Sequence, residues 1–173
     1  MPTSLPSPLI VIGVSGSGKT TLGRGLAAYY GFTFLDADDF HTPEAKAKMA
    51  RGQGLTDVDR APWLTRLRSE LDERAAHNEG VVLACSALKA AYREVLNGPN
   101  TEFIYLDVPH DVLRSRLEHR SDSYAGESLL PSQFAALEEP RPGEAIIVHV
   151  GEGETADLVL ADTLRQLAVA HAG

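Results

Sequence analysis

Gly13-Val14-Ser15-Gly16-Ser17-Gly18-Lys19-Thr20 follows directly on the apolar run Leu9-Ile10-Val11-Ile12, and residue types in that order suit the binding of phosphate. Glycines let the backbone turn tightly and aim several N–H groups into one concavity, while a helix starting near Gly18 adds the positive end of its dipole. Lys19 is placed to reach β- and γ-phosphates, and the Thr20 hydroxyl is available to Mg²⁺. With a strand before the loop and a helix after it, Gly13, Ser15, Gly16, Ser17, Gly18, Lys19, Thr20 and Thr21 form the candidate set for ATP. A merely flexible Gly/Ser turn needs neither the Lys-Thr pair nor a buried strand ahead of it.

A second cluster, Asp36-Ala37-Asp38-Asp39-Phe40-His41, ends the short apolar run Phe32-Thr33-Phe34-Leu35. A Ca²⁺ loop is excluded, because Ala47 stands where the closing Glu is required and His41 replaces the central Gly. Either this is a solvated acidic turn, or Asp36 helps organise hydrated Mg²⁺ and Asp38 faces an acceptor hydroxyl; ligands collect at the carboxyl ends of parallel strands, which favours the second. Arg60, in a charged loop ahead of a helix, is either solvated or anion-binding. Lys89 and Arg93, read as i,i+4 neighbours on a helix, form either a two-cation ligand face or a solvent-facing surface.

These groups need a scaffold, and the apolar patterning supplies one. Residues 18–30 read as a helix with Leu22 and Leu26 inward and Gly31 as its stop. Thr42 caps a short helix over 43–51, and Trp63, Leu67 and Leu71 mark one face of a helix running to about 77. Runs at 81–85, 101–106 and 145–150 read as further strands. A helix opened by Pro109 carries Arg114, Arg116 and Arg120; residues 121–128 lack apolar periodicity and read as a lid; 129–138 return to helix. The last helix presents Leu158, Ala161, Leu164 and Leu167 on one side. Strands alternating with helices predict a single three-layer α/β/α domain over 1–173, with 1–8 as an N-terminal extension. No acidic residue ends the run at 81–85, so Asp36 takes the role of the strand-end carboxylate.

A chain of 173 residues that is 43% hydrophobic buries a core without disulfides. Its formal charge of −8 argues against a general nucleic-acid or acidic-membrane binder, so anionic ligands require local basic pockets. The one cysteine, Cys85, lies in an apolar run and suits a reducing compartment. The first eight residues hold no Lys or Arg, and no apolar segment approaches the ~18 residues that span a bilayer. A cytoplasmic protein is expected.

Taken in order, the loop at 13–20, Leu35-Asp-x-Asp-x-x-His41, Lys48-Met49, Leu55-x-Asp57-x-Asp59-Arg60-x-Pro62-Trp63-Leu64, Cys85-Ser86-Ala87-Leu88-Lys89 with Tyr92-Arg93, and Ser132-Gln133-Phe134 with Leu137-Glu138-x-Pro140 resemble the P-loop gluconokinases. The likeness runs from about residue 9 to 150. It implies a P-loop NTPase fold of the nucleoside-monophosphate-kinase type, with a parallel sheet in the order 2-3-1-4-5. It also implies Mg²⁺-dependent transfer from ATP to the 6-hydroxyl of D-gluconate, in a homodimer. On that basis Asp38 orients or deprotonates the hydroxyl, and His41, Arg60, Lys89 and Arg93 are the candidates for the acceptor. By looser analogy with shikimate kinase, Arg116 lies against the adenine and Arg120 near the phosphates. The chain departs from the family's Arg-x-Gly-His-like segment at Arg120-Ser121-Asp122-Ser123, where Ser123 replaces the His. The alternatives are another small-molecule kinase of this superfamily, for shikimate or a nucleoside monophosphate, and a non-catalytic nucleotide-binding module.

Overall fold

A computed structural model describes residues 7–118 and 130–171. Arg120, Ser123 and the expected lid at 121–128 lie outside the described residues, as does most of the N-terminal extension. Five strands, β1 (Leu9–Ile12), β2 (Thr33–Asp36), β3 (Val81–Ala84), β4 (Glu102–Asp107) and β5 (Ile146–His149), form one sheet in the order β2-β3-β1-β4-β5. Every pairing is parallel.

Side chains alternate across a strand, so burial on both faces requires a continuous apolar run. Leu9 and Val11 of β1 join Val82, Ile104 and Leu106 in one core cluster, while Ile10 and Ile12 join Val81, Leu83, Phe103 and Tyr105 in the other. The first cluster is closed by α1 (Lys19–Tyr30), α5 (His110–Glu118) and α7 (Ala156–Ala170) through Leu22, Leu26, Leu113, Val159 and Leu167. The second is closed by α3 (Asp57–Ala76) and α4 (Ala90–Leu96) through Trp63, Leu67, Leu71 and Leu96. Two shorter helices, α2 (Pro43–Ala50) and α6 (Leu130–Ala136), flank the carboxyl edge of the sheet, where the site lies.

Three elements differ from the sequence reading. Helix α3 starts at Asp57 and runs through Pro62, because a reciprocal cap fixes its beginning: Thr56 N–H donates to Asp59 Oδ2 at 2.8 Å and Asp59 N–H to Thr56 Oγ1 at 3.1 Å. Arg60 therefore sits in the first turn of a helix, not in a loop before it. Helix α4 begins only at Ala90, after an extended Lys89, since Ala87 takes the left-handed φ of 36° and turns the chain. In α7 Leu167 is buried and Leu164 packs against the core as expected, but Val159 and Thr163 complete the buried stripe, while Leu158 is 58% exposed and Ala161 faces solvent.

Candidate active site

Strands β1, β2 and β3 deliver their carboxyl ends to one cleft of about 620 Å³. The loop after β1 lines its floor with Ser15, Lys19 and Thr20; β2 and the 3₁₀ turn Ala37–Phe40 contribute Asp36 and Asp38. A second cavity of about 490 Å³ opens on the other side of the same loop, between Thr21, Arg116, Val150, Glu154 and Val159. Gly16, Gly18 and Thr21 border both. Gly16 and Gly18 hold φ of 80° and 100°, values that only glycine adopts without strain. Lys19 Nζ donates to Val14 O at 3.0 Å, across the concavity the loop encloses. From outside, Arg116 Nη1 donates to Gly16 O at 3.0 Å and Ser17 O at 3.3 Å, bracing the loop while its side chain walls the second cavity.

The acidic turn is held by packing. Asp36 Oδ1 accepts from Asp38 N–H at 3.0 Å, capping the 3₁₀ turn, and the buried Trp63 indole donates to Ala37 O at 2.7 Å. His41 stacks on the same indole, ring centroids 4.3 Å apart. Its Nε2 lies 3.7 Å from Asp38 Oδ1, and its Nδ1 is buried without a hydrogen-bond partner. Burial, reinforced by the positive charges of Arg60 and Lys46, pulls the His41 pKa down to about 4, so the ring is neutral at pH 7. The Asp38 side chain is 71% exposed to the solvent of the cleft, yet the surrounding walls raise its pKa and Lys19 only partly offsets them. Asp36 is raised as well, first by burial and then by Asp38 and Asp39.

Not every expected cation reaches the cleft. Arg60 does, with Nη1 donating to Leu55 O at 2.8 Å and Tyr92 Oη at 3.3 Å and its guanidinium 5.5 Å above the Tyr92 ring. Lys89 instead donates to Asp57 Oδ1 at 2.9 Å, and Tyr92 Oη donates to the same oxygen. Arg93 is 7% exposed and donates to Ala87 O at 3.0 Å, Leu88 O at 3.2 Å and Glu138 O at 2.8 Å. The expected Lys89–Arg93 face is thus not assembled at the cleft: one cation closes an ion pair and the other ties α4 to the chain after α6. Cys85 is buried and its thiol is pushed up to about 12 by desolvation, which leaves it inert.

Lys46 and Gln133 are among the residues of the cleft that received no role from the sequence. Lys46 of α2 lines it and acts electrostatically on Asp38 and His41. Gln133 of α6 lines it too and pairs with Ser15. Lys46 is one polar residue on a short helix, and its position depends on how α2 leaves the acidic turn. Gln133 belongs to a recognisable block, but nothing local points it at the loop.

The fold and the two cavities meeting at one glycine-rich loop define a P-loop phosphotransferase. The profile of the shikimate kinase family matches residues 15–167. Gluconokinase of Gluconobacter oxydans is 44% identical over 162 residues, covering 92% of this chain and 90% of that protein. Among solved structures, a gluconokinase from Sinorhizobium meliloti superposes with a TM-score of 0.83 at 35% identity, covering 97% of this chain and 95% of the other. A sugar kinase from Janibacter sp. gives 0.84 at 40%, covering 95% of each. The chain belongs to the gluconokinase family.

Replacing Arg93 by Met leaves three carbonyls without their buried donor; stability is expected to fall by about 3 kcal/mol in urea unfolding, with the KM of the acceptor unchanged. For His41, the unfolded chain takes up a proton near pH 6.5 that the folded chain refuses until about 4, so stability is lost as pH falls through that window. His41→Phe keeps the stack on Trp63, and the urea midpoint of this variant is expected to fall less steeply between pH 6.5 and 4.5 than that of the wild type.

Proposed function

We propose that the protein transfers the γ-phosphoryl group of ATP to the 6-hydroxyl of D-gluconate, giving 6-phospho-D-gluconate and ADP. The carrying observation is the single cleft that joins Lys19 and Thr20 to Asp38, Lys46 and Arg60, with the nucleotide-sized cavity behind the same loop. In the transfer a bond forms between the hydroxyl oxygen and Pγ, the bond from Pγ to the bridging oxygen breaks, and ADP leaves. Asp38 orients the hydroxyl and receives its proton. Because the transition state is loose, positioning and neutralisation contribute more than prior deprotonation.

Lys19 and the loop amides hold the phosphates, and Arg116 flanks the base. Arg120 is proposed for the phosphates from the family likeness alone. The acceptor carboxylate falls to Arg60 and Lys46, the cations that border the cleft, with neutral His41 available for a hydroxyl; Lys89 and Arg93 are left out of this role. Thr20 and Asp36 fit Mg²⁺: both offer oxygen at the phosphate end of the cleft, and burial holds the Asp36 carboxyl raised despite the charge of Lys19, a setting that a bound cation would relieve. When bound there, Mg²⁺ neutralises phosphate charge. Among the described residues no group of three or more His, Cys, Asp or Glu could hold a metal, which suits an ion carried largely by phosphates and water. No helix among the described residues is long and apolar enough to cross a membrane. A cytoplasmic location and a homodimer are part of the same proposal and rest on the family.

ADP release measured across gluconate, shikimate and nucleoside monophosphates tests the reading: gluconate is expected to be the preferred acceptor, and activity on shikimate with none on gluconate overturns it. ATP binding without transfer to any acceptor favours a nucleotide-binding module instead. Lys19→Ala is expected to lower kcat about 10²- to 10³-fold with an unchanged melting temperature. Asp38→Asn is expected to lower it about 10²-fold while ATP affinity, read by calorimetry, persists.

A further inference from the structure

Ser15 and Gln133, 118 positions apart, make two reciprocal hydrogen bonds: Ser15 N–H donates to Gln133 Oε1 at 2.8 Å and Gln133 Nε2 donates to Ser15 Oγ at 2.7 Å. Their polarity is forced. A backbone N–H only donates, so the amide oxygen must face it, and the amide NH₂ is left facing the hydroxyl. Ser15 Oγ therefore accepts from Gln133, and its own proton has to point elsewhere. Both residues line the cleft alongside Lys19, Thr20 and Asp38, between the phosphate loop and the acceptor turn.

Gln133 is itself held in place. Phe134 beside it stacks on His110 of α5 with centroids 3.4 Å apart. The chain leaving α6 is pinned by Glu138 N–H to Leu88 O at 2.8 Å and by Arg93 Nη2 to Glu138 O at 2.8 Å. An amide so fixed selects the rotor of the hydroxyl it faces.

We propose that Gln133 is a positioning residue that presets Ser15 as a hydrogen-bond donor to the phosphoryl group in transit. Negative charge on that group is spread over its equatorial oxygens, where a donor already oriented needs no reorganisation during transfer. The inference deepens the proposed kinase function and rests on phosphoryl transfer in this cleft, not on gluconate as the acceptor.

Substituting Gln133→Glu separates positioning from clamping. A carboxylate accepts from both Ser15 N–H and Ser15 O–H, so two contacts survive, but the hydroxyl proton is now drawn to residue 133 and away from the cleft. Ser15→Ala and Gln133→Glu are each expected to lower kcat about tenfold, with KM for ATP within threefold and melting temperatures within a few degrees of wild type. The double variant is expected to be no slower than Ser15→Ala. Wild-type kcat in Gln133→Glu reduces Gln133 to a clamp and overturns the proposal. A further tenfold fall in the double variant also overturns it, since the carboxylate then acts by its charge and not through Ser15. Acceptor-free ATP hydrolysis, in which water takes the phosphoryl group, is measured on the same variants. It reads the Ser15 effect even if gluconate fails as the acceptor.

Discussion

Closure of the phosphate loop against the sheet depends on one missing side chain. A Cβ at Gly13 would stand 2.7 Å from the Oγ of the buried Ser17 and 3.3 Å from Leu106 O. The loop can therefore fold back on β1 only where the backbone is bare. Everything downstream follows from that closure. Ser17 packs inside the turn, Lys19 spans it, and the carbonyls of Gly16 and Ser17 face Arg116. Strand β1, buried on both faces, holds the near end of the loop still, and α1 holds the far end through Leu22 and Leu26.

Much of the charge around the cleft is structural. Lys48 pairs with Asp59 at 2.7 Å and pulls that carboxyl down to about 2, while Lys89 and Tyr92 hold Asp57. These contacts dock α2 and the turn before α4 onto the start of α3. The paired part of the charge pattern is thereby neutralised locally, leaving Arg60 and Lys46 on the wall of the cleft in a chain whose formal charge is −8. Trp63 does comparable work without charge, since one indole donates to Ala37 O, carries His41 on its face and fills the core beneath. The Asp-Arg-x-Pro-Trp block is thus a support for the acidic turn.

How far the chain could be read from its residues tracks how local each feature is. All five strands were legible, most plainly β1, β3 and β4, whose burial on both faces demands an unbroken apolar run. Phosphate binding was legible for the same reason: it is done by contiguous backbone. The cationic wall of the cleft was legible only in part: Arg60 borders it, whereas Lys89 and Arg93 are engaged elsewhere. Pairing Lys89 with Arg93 assumed a helix already formed at Lys89, whereas the positive φ of Ala87 delays its start and drives Arg93 inward. In α7 Leu164 and Leu167 were legible, and only the outer edge of the expected stripe, Leu158 and Ala161, turned out exposed. Lys46 and Gln133 reach the cleft only through tertiary packing, and sheet order itself came from resemblance and not from periodicity.

The two cavities share Gly16, Gly18 and Thr21, so a single layer of backbone separates them. The layer they share offers backbone amides and the Thr21 hydroxyl, while the carboxylates of Asp36 and Asp38 stand on the cleft side of it. Under the proposed function, nucleotide and acceptor meet across this layer with both bound before transfer, so the kinetics would be sequential and a single in-line displacement would invert the configuration at phosphorus.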